Sequence, residues 1–183
     1  MRVIAGSLKG RRLKTPTWPG LRPTSDKLRE TLFNVLAPRI AGARVLDGYA
    51  GTGALGIEAL SRGAVGVTFI EHDRRAQALI AENLVHCGIE NGYAIIRATV
   101  ARGLDTLRAH PAFAPFDIVL LDPPYDEPAD AVLTGAEAVV APDGLVVVEH
   151  ARNRPTPEST RGLVRLRQVI SGHSALSLYE LKR

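Results

Sequence analysis

Five short apolar runs punctuate this chain, and the segments between them have the pattern of helices. The runs cover 44–47, 65–70, 93–98, 116–121 and 144–149. They are near-continuously apolar, as strands buried on both faces are. Helical segments are expected at 54–62, 74–87, 102–109 and 129–140. Such alternation predicts an α/β fold, a mostly parallel sheet with helices on both faces. A further helix is expected from Thr24 or Ser25, either of which can cap it, to about Leu36. Leu28, Leu32, Val35 and Leu36 form its apolar stripe, and Pro38 is expected to end it. Beyond 149 the pattern changes. Residues 152–161 are polar and contain proline, and read as a mobile loop. Runs 164–170 and 175–181 flank Ser171-Gly172-His173-Ser174 and predict an antiparallel hairpin at the sheet edge.

The first run leads into the most glycine-rich turn. Asp47-Gly48-Tyr49-Ala50-Gly51-Thr52-Gly53-Ala54-Leu55-Gly56 passes from strand end to helix start. Glycines at Gly51, Gly53 and Gly56 match the dinucleotide fingerprint, and Glu71 closes the next strand. An acid there can hold ribose hydroxyls. This serves a nicotinamide dinucleotide and S-adenosylmethionine equally. Asp47 favours the second, because a carboxylate before the glycines repels a pyrophosphate but suits a sulfonium and an ammonium group. It can also pin the loop by accepting its amides.

The run 116–121 ends in Asp122-Pro123-Pro124-Tyr125. An acid is thus placed at the carboxyl end of a strand, where open α/β sheets bind ligands. The Asp122 carboxylate and the Pro123 carbonyl can both accept from one exocyclic amine. That draws the nitrogen lone pair out of conjugation and aims it at an electrophile. The prolines stiffen the turn and bring no competing amide donor. Tyr125 offers a face on which an extruded base can stack, worth about 1–3 kcal/mol in single-strand binders. A plain turn accounts for any one of these residues, and a WW-type ligand expects Pro-Pro-x-Tyr in a disordered tract. The four together after a core strand point to amine chemistry.

Charge is unevenly distributed. Residues 1–39 hold nine Lys or Arg and two acids, whereas the rest hold fourteen basic and seventeen acidic side chains. Residues 2–5 and 11–15 read as extended pieces around a basic, glycine-bounded tip, Gly6-Ser7-Leu8-Lys9-Gly10. A basic arm on a near-neutral body suits a polyanion. Lys9, Arg11, Arg12, Arg22, Lys27 and Arg29 are its candidate nucleic-acid contacts. The organisation expected is an arm and loop over 1–23 and one domain over 24–183. The single Cys87 excludes a disulfide framework, and the five histidines show no ligand spacing, so no metal is expected. No run reaches membrane length, and a cytoplasmic monomer is expected.

With these motifs the chain resembles the RsmD-type small-subunit ribosomal RNA guanine-N2 methyltransferases. The resemblance rests on Arg2-Val3-Ile4-Ala5-Gly6 through Gly10-Arg11-Arg12-Leu13, and on Arg22-Pro23-Thr24 leading to Arg29-Glu30-Thr31-Leu32-Phe33-Asn34-Val35-Leu36. It rests also on the glycine loop and Asp122-Pro123-Pro124-Tyr125. It covers nearly the whole chain. It implies a Rossmann-like class I fold with a seven-stranded sheet, S-adenosylmethionine as methyl donor, and 16S ribosomal RNA or the small subunit as partner. Asp47, Gly48, Gly51 and Gly53 would line the methionine side and Glu71 the ribose. Thr99, beside Val100, stands where the family has an acid near the adenine. Asp122 and Pro123 would orient the amine, and Tyr125 would stack.

The alternatives are an adenine-N6 or cytosine-N4 DNA methylase, a nicotinamide-dependent oxidoreductase, and a non-catalytic ribosome assembly factor. The second leaves Asp122-Pro123-Pro124-Tyr125 without a use. A cytosine-C5 enzyme needs a nucleophilic cysteine, and Cys87 sits at a helix end beside Gly88.

Overall fold

The computed structural model describes residues 1–20, 24–124 and 127–183. Arg22 and Tyr125, both expected at the site, lie outside the described residues. The elements run α1 (Asp26–Ile40), β1 (Arg44–Gly48), α2 (Ala54–Ser61), β2 (Gly66–Glu71), α3 (Arg74–His86), β3 (Tyr93–Arg97), α4 (Val100–Ala109), β4 (Phe116–Leu121), α5 (Ala129–Glu137), β5 (Val140–Ala151), β6 (Leu163–Ser171) and β7 (Ser174–Leu181). The strands form one seven-stranded sheet in the order β3-β2-β1-β4-β5-β7-β6. β1 to β5 are parallel, and β7 runs antiparallel between β5 and β6. This is the doubly wound sheet with an antiparallel terminal hairpin that the alternation predicts. β7 lies between β5 and β6, so the chain crosses the sheet edge before turning back.

Alternate residues of each strand feed two cores, as a period of two requires. Val45, Phe69, Ile118, Leu120 and Val147 pack under α1, α2 and α3. Leu46, Ile70, Val119, Leu121 and Val148 pack under α4 and α5. The strand order reverses between β1 and β4, which opens a crevice at their carboxyl ends.

Several boundaries differ from the sequence reading by a few residues, α4 beginning at Val100 and β5 spanning Val140–Ala151, and three differences have a plain physical cause. α1 continues through Pro38 to Ile40. A proline in the last turn costs one intrahelical bond, and the burial of Leu36 and Ile40 on one face carries the helix past it. α5 ends at Glu137, not Val140, because Val139 and Val140 are claimed by the sheet. The Phe116 amide donates to Val139 O at 2.9 Å, and Val140 pairs with Phe116. Residues 152–161 are pinned rather than mobile. Thr156 is buried, Tyr179 OH lies 2.5 Å from its Oγ1, and Thr156 donates to Ser177 Oγ at 2.9 Å. Arg165 Nη1 also donates to Thr156 O, and Ser159 bridges to Val164.

The basic arm is docked along its length. Arg2 and Arg12 bridge antiparallel, with Val3 N–H donating to Arg11 O and Gly10 N–H to Val3 O, both at 2.9 Å. Val3 and Leu13 are buried in the α1–α3 core. Glu58, fully buried on α2, accepts from the amides of Ile4 and Ala5 and from Arg62 Nε. Its neighbour in space is Arg29, also fully buried.

Candidate active site

The carboxyl ends of four adjacent strands, β2, β1, β4 and β5, each bring an acid: Glu71, Asp47, Asp122 and Glu149. All four follow the alternation of the core that faces α1 to α3, so they share one side of the sheet. α1 begins on that side. The Thr24 hydroxyl lies 3.5 Å from Asp122 Oδ2, and Ser25 Oγ caps the helix by accepting from Leu28 N–H.

Asp47 is the deepest of the four, 1% exposed. Its Oδ2 accepts from the Gly56 amide at 2.9 Å. Burial, with added repulsion from Asp122 and Glu71, pushes its carboxyl up to about 8 despite that bond. The loop that Asp47 pins turns at Gly53, whose φ of +77° favours glycine, and Gly53 caps α2. A Cβ on Gly56 would lie 2.2 Å from Phe69 Cε1, so α2 packs on β2 only because that position is bare. Glu71 Oε2 accepts from Gly51 N–H at 2.9 Å, and its Oε1 accepts from Asp73 N–H at 2.8 Å. The second strand's acid thus shapes the glycine loop across the 20 residues that separate them. Gly48 sits where a Cβ would meet Leu121 Cδ2 at 2.7 Å.

Thr99 precedes α4 as its N-cap residue, in extended conformation, and its hydroxyl makes no capping bond. Val100 beside it is buried. Both stand one strand beyond Glu71, whose carbonyl accepts from Ala98 N–H at 3.3 Å. Tyr49 takes φ +64°, rare for a residue with a Cβ. Burial and the Glu127 carboxylate raise its phenol well above the ordinary tyrosine range.

At the centre, Asp122 is held largely out of water. Its carboxyl is raised to about 6 by that burial, against the lowering effect of Thr24. Pro123 is half-buried and Pro124 exposed. Glu149 is raised to about 8 by burial and by the charge of Asp122, with Ser174 opposing through a hydrogen bond. Glu149 has no place in the sequence-derived site. An acid closing the run 144–149 is the signal for it, but only the strand order sets that acid beside Asp122.

The basic candidates divide. Lys9, Arg11, Arg12 and Lys27 are exposed. Arg29 is not a nucleic-acid contact: it is 0% exposed, and its Nη2 donates to Arg2 O at 2.6 Å and to Asp26 Oδ1 at 2.7 Å. One turn of α1 separates it from Ser25, and that turn rotates it under the arm. The tip is also displaced from Asp122. Gly6 and Ser7 lie against Ser61, the last residue of α2, while the first residue of that helix follows the glycine loop. Eight helical residues make that offset about 12 Å. Nearer the crevice, Trp18 stacks under the Arg75 guanidinium at 5.0 Å.

Comparison with known proteins follows the same lines. The family model described as Conserved hypothetical protein 95 matches residues 1–180. Ribosomal RNA small subunit methyltransferase D of Escherichia coli K12 is 37% identical over 185 residues, covering 98% of this chain and 89% of that protein. The chain belongs to the RsmD family. The solved structure of the Escherichia coli yhhF protein superposes with a TM-score of 0.85 at 34% identity, covering 100% of this chain and 98% of that one. The fold extends further. An O-methyltransferase from Bacillus cereus, in complex with S-adenosylhomocysteine, shares 10% identity yet superposes with a TM-score of 0.73 over 89% of this chain and 84% of that one. The RsmD-family chain described here therefore has the seven-stranded fold of S-adenosylmethionine-dependent methyltransferases, as the sequence resemblance implies.

Proposed function

We propose that this protein transfers a methyl group from S-adenosylmethionine to the exocyclic N2 amine of a guanine in small-subunit ribosomal RNA. The observation that carries the reading is Asp122: a shielded carboxylate at the carboxyl end of β4, followed by two prolines, beside the glycine loop of β1. The names of full-length relatives support ribosomal RNA as the acceptor class.

The crevice suits the donor. Asp47, Glu71 and Asp122 crowd one end of the sheet, and among the described residues no Lys or Arg forms an ion pair with any of them. Such a cluster favours a cationic ligand. Asp47 Oδ1 would face the ammonium and sulfonium end, and Gly51 and Gly53 would let it approach the backbone. Glu71 would take the ribose hydroxyls and Thr99 the adenine edge. Bound S-adenosylmethionine supplies a methyl on a positively charged sulfur, which makes it an electrophile.

The chain's own work is to present the nucleophile. Asp122 and the Pro123 carbonyl accept the two N2 protons, which localises the nitrogen lone pair along the line of attack. Asp122 need not act before transfer, because the amine proton becomes acidic only afterwards. It then stands within reach to receive that proton. Tyr125 is assigned the stacking face for the base. Most of the rate comes from orientation and fixed dipoles. Lys9, Arg11, Arg12 and Lys27 would hold phosphates away from the target nucleotide, with Arg22 assigned to the same task from sequence.

The test is methyl transfer from isotopically labelled S-adenosylmethionine to unmodified ribosomal RNA, assembled small subunits and genomic DNA. Nucleosides from each are resolved by mass spectrometry. N2-methylguanosine from ribosomal substrate is expected. Methylated adenine or cytosine from DNA would replace the acceptor, and no product at all would favour an assembly factor.

A further inference from the structure

The strand beside that of Asp122 carries a second acid near its carboxyl end, and the transfer just described makes no use of it. Leu121 pairs with Val148 in parallel register, so the next residues, Asp122 and Glu149, stand side by side. Neighbouring strands are about 4.8 Å apart. Leu120 and Val147 belong to the core facing α1, and the residues two further along project to that same side. Glu149 is half-buried, and its one described partner is the Ser174 side chain at the start of β7. Two carboxyl groups with no ion-pair partner among the described residues are a poor arrangement for a free protein and a good one for a ligand edge rich in N–H donors.

We propose that Glu149 reads the acceptor base, its carboxylate accepting the ring N1–H of guanine while Asp122 and the Pro123 carbonyl hold the N2 amine. The inference rests on the guanine-N2 reading above and names the residue that makes it specific. In guanine, N1 and N2 are attached to the same carbon, so their donors lie next to each other on one edge. Two acids on adjacent strands match that pair. In adenine and cytosine the ring nitrogen beside the amine carries a lone pair, not a hydrogen. That lone pair would face the Glu149 carboxylate. In its ionised form Glu149 therefore attracts the correct edge and repels the others, the two halves of a specificity device. Burial and repulsion by Asp122 hold Glu149 near 8 in the free protein, so it reads the base on giving up that proton. The N1–H donor takes the place of the proton that leaves to water.

The test compares guanine with 2-aminopurine at the methylated position, once mass spectrometry has mapped it, in small-subunit RNA assembled from synthetic and transcribed pieces. 2-Aminopurine keeps the C2 amine but has no hydrogen on N1. The unaltered protein should favour guanine by about 100-fold or more. Glu149→Ala should slow transfer to guanine by about 10- to 100-fold and leave 2-aminopurine little changed, so the preference collapses. Glu149→Gln, whose amide oxygen still accepts, should retain part of the preference, and it serves if the alanine variant does not fold. S-adenosylmethionine binding by calorimetry checks each variant. An equal loss on both bases, with the ratio intact, would overturn the proposal and make Glu149 a structural residue. Failure of the unaltered protein to methylate any guanine would instead remove the reading on which it rests.

Discussion

Asp47 and Asp122 hold the same kind of group at different depths, and their consequences separate. Asp122→Ala should lower methyl transfer by at least about 100-fold, the scale of losing a preorganised acceptor at the reacting atom. Binding of S-adenosylmethionine, measured by calorimetry, should persist. If turnover survives the substitution, Asp122 does not hold the amine. Asp47→Asn tests burial. A carboxyl held near 8 in the folded state, against about 3.9 unfolded, keeps protons that the unfolded chain has lost. Stability from this group therefore falls as pH rises from about 4 to about 8. The Asn variant, still able to accept from Gly56, should melt higher than the unaltered protein at pH 9 and at the same temperature near pH 4. A chain of this size shifts by about 2–4 °C for each kcal/mol. Melting curves that stay parallel at both pH values would mean that Asp47 is not held protonated.

At the scale of elements, the arm is bound to α2 and α3 by buried polar groups. Glu58 serves the Ile4 and Ala5 amides, Arg62, and Arg29. Arg29 Nε and Nη1 make no hydrogen bond of their own, so the pair depends on its geometry. Glu58→Ala removes the buried carboxylate beside Arg29, leaving that cation only Asp26 and the Arg2 carbonyl, and should cost about 3–5 kcal/mol, read from the urea midpoint. Gly6→Ala attacks the same joint differently. Its Cβ would fall 1.8 Å from Ser61 O at a φ of +83°, so the tip must leave α2. That variant should expose residues 1–14 to protease while the circular dichroism of the sheet is unchanged. The arm is readable in sequence as two extended pieces with a basic tip. Its docking is not, because the partners on α2 and α3 lie 53 to 75 residues away and look like ordinary helix residues. Arg29 shows the cost: by composition it is one more cation in a basic segment, and only the rotation of α1 places it inside. The two cofactor-side acids are legible because each ends an apolar run before a turn. Glu149 ends one too, but its meaning depends on β5 lying next to β4, a fact of topology.

Over the whole molecule, the acids and the bases act on separate surfaces. Three carboxyls on one rim are raised together, Asp122 to about 6 and Asp47 and Glu149 to about 8. All contribute the same sign, so the free protein should lose stability from pH 5 to pH 8, and a cationic ligand should reverse that slope. Melting with and without S-adenosylmethionine across this range reads it directly. The bases lie on the arm and α1. Changing Lys9, Arg11 and Arg12 to Gln should weaken RNA binding at every sequence. It should also lower the slope of log affinity against log salt by about 0.7 to 0.9 for each phosphate no longer neutralised. An unaltered slope would move the RNA elsewhere on the surface.

One side chain ties the arm to the crevice. Asn83 on α3 accepts from Lys14 N–H at 2.7 Å, donates to Lys14 O at 3.1 Å, and donates to Thr52 O of the glycine loop at 3.0 Å. During synthesis the arm leaves the ribosome before α3, and Asn83 emerges 69 residues after the Lys14 that it holds. Until then Lys14 waits without that partner beside a particle made of RNA. The end of the arm is thus tied down only once α3 has been made, and the glycine loop with which it shares Asn83 is tied in the same event.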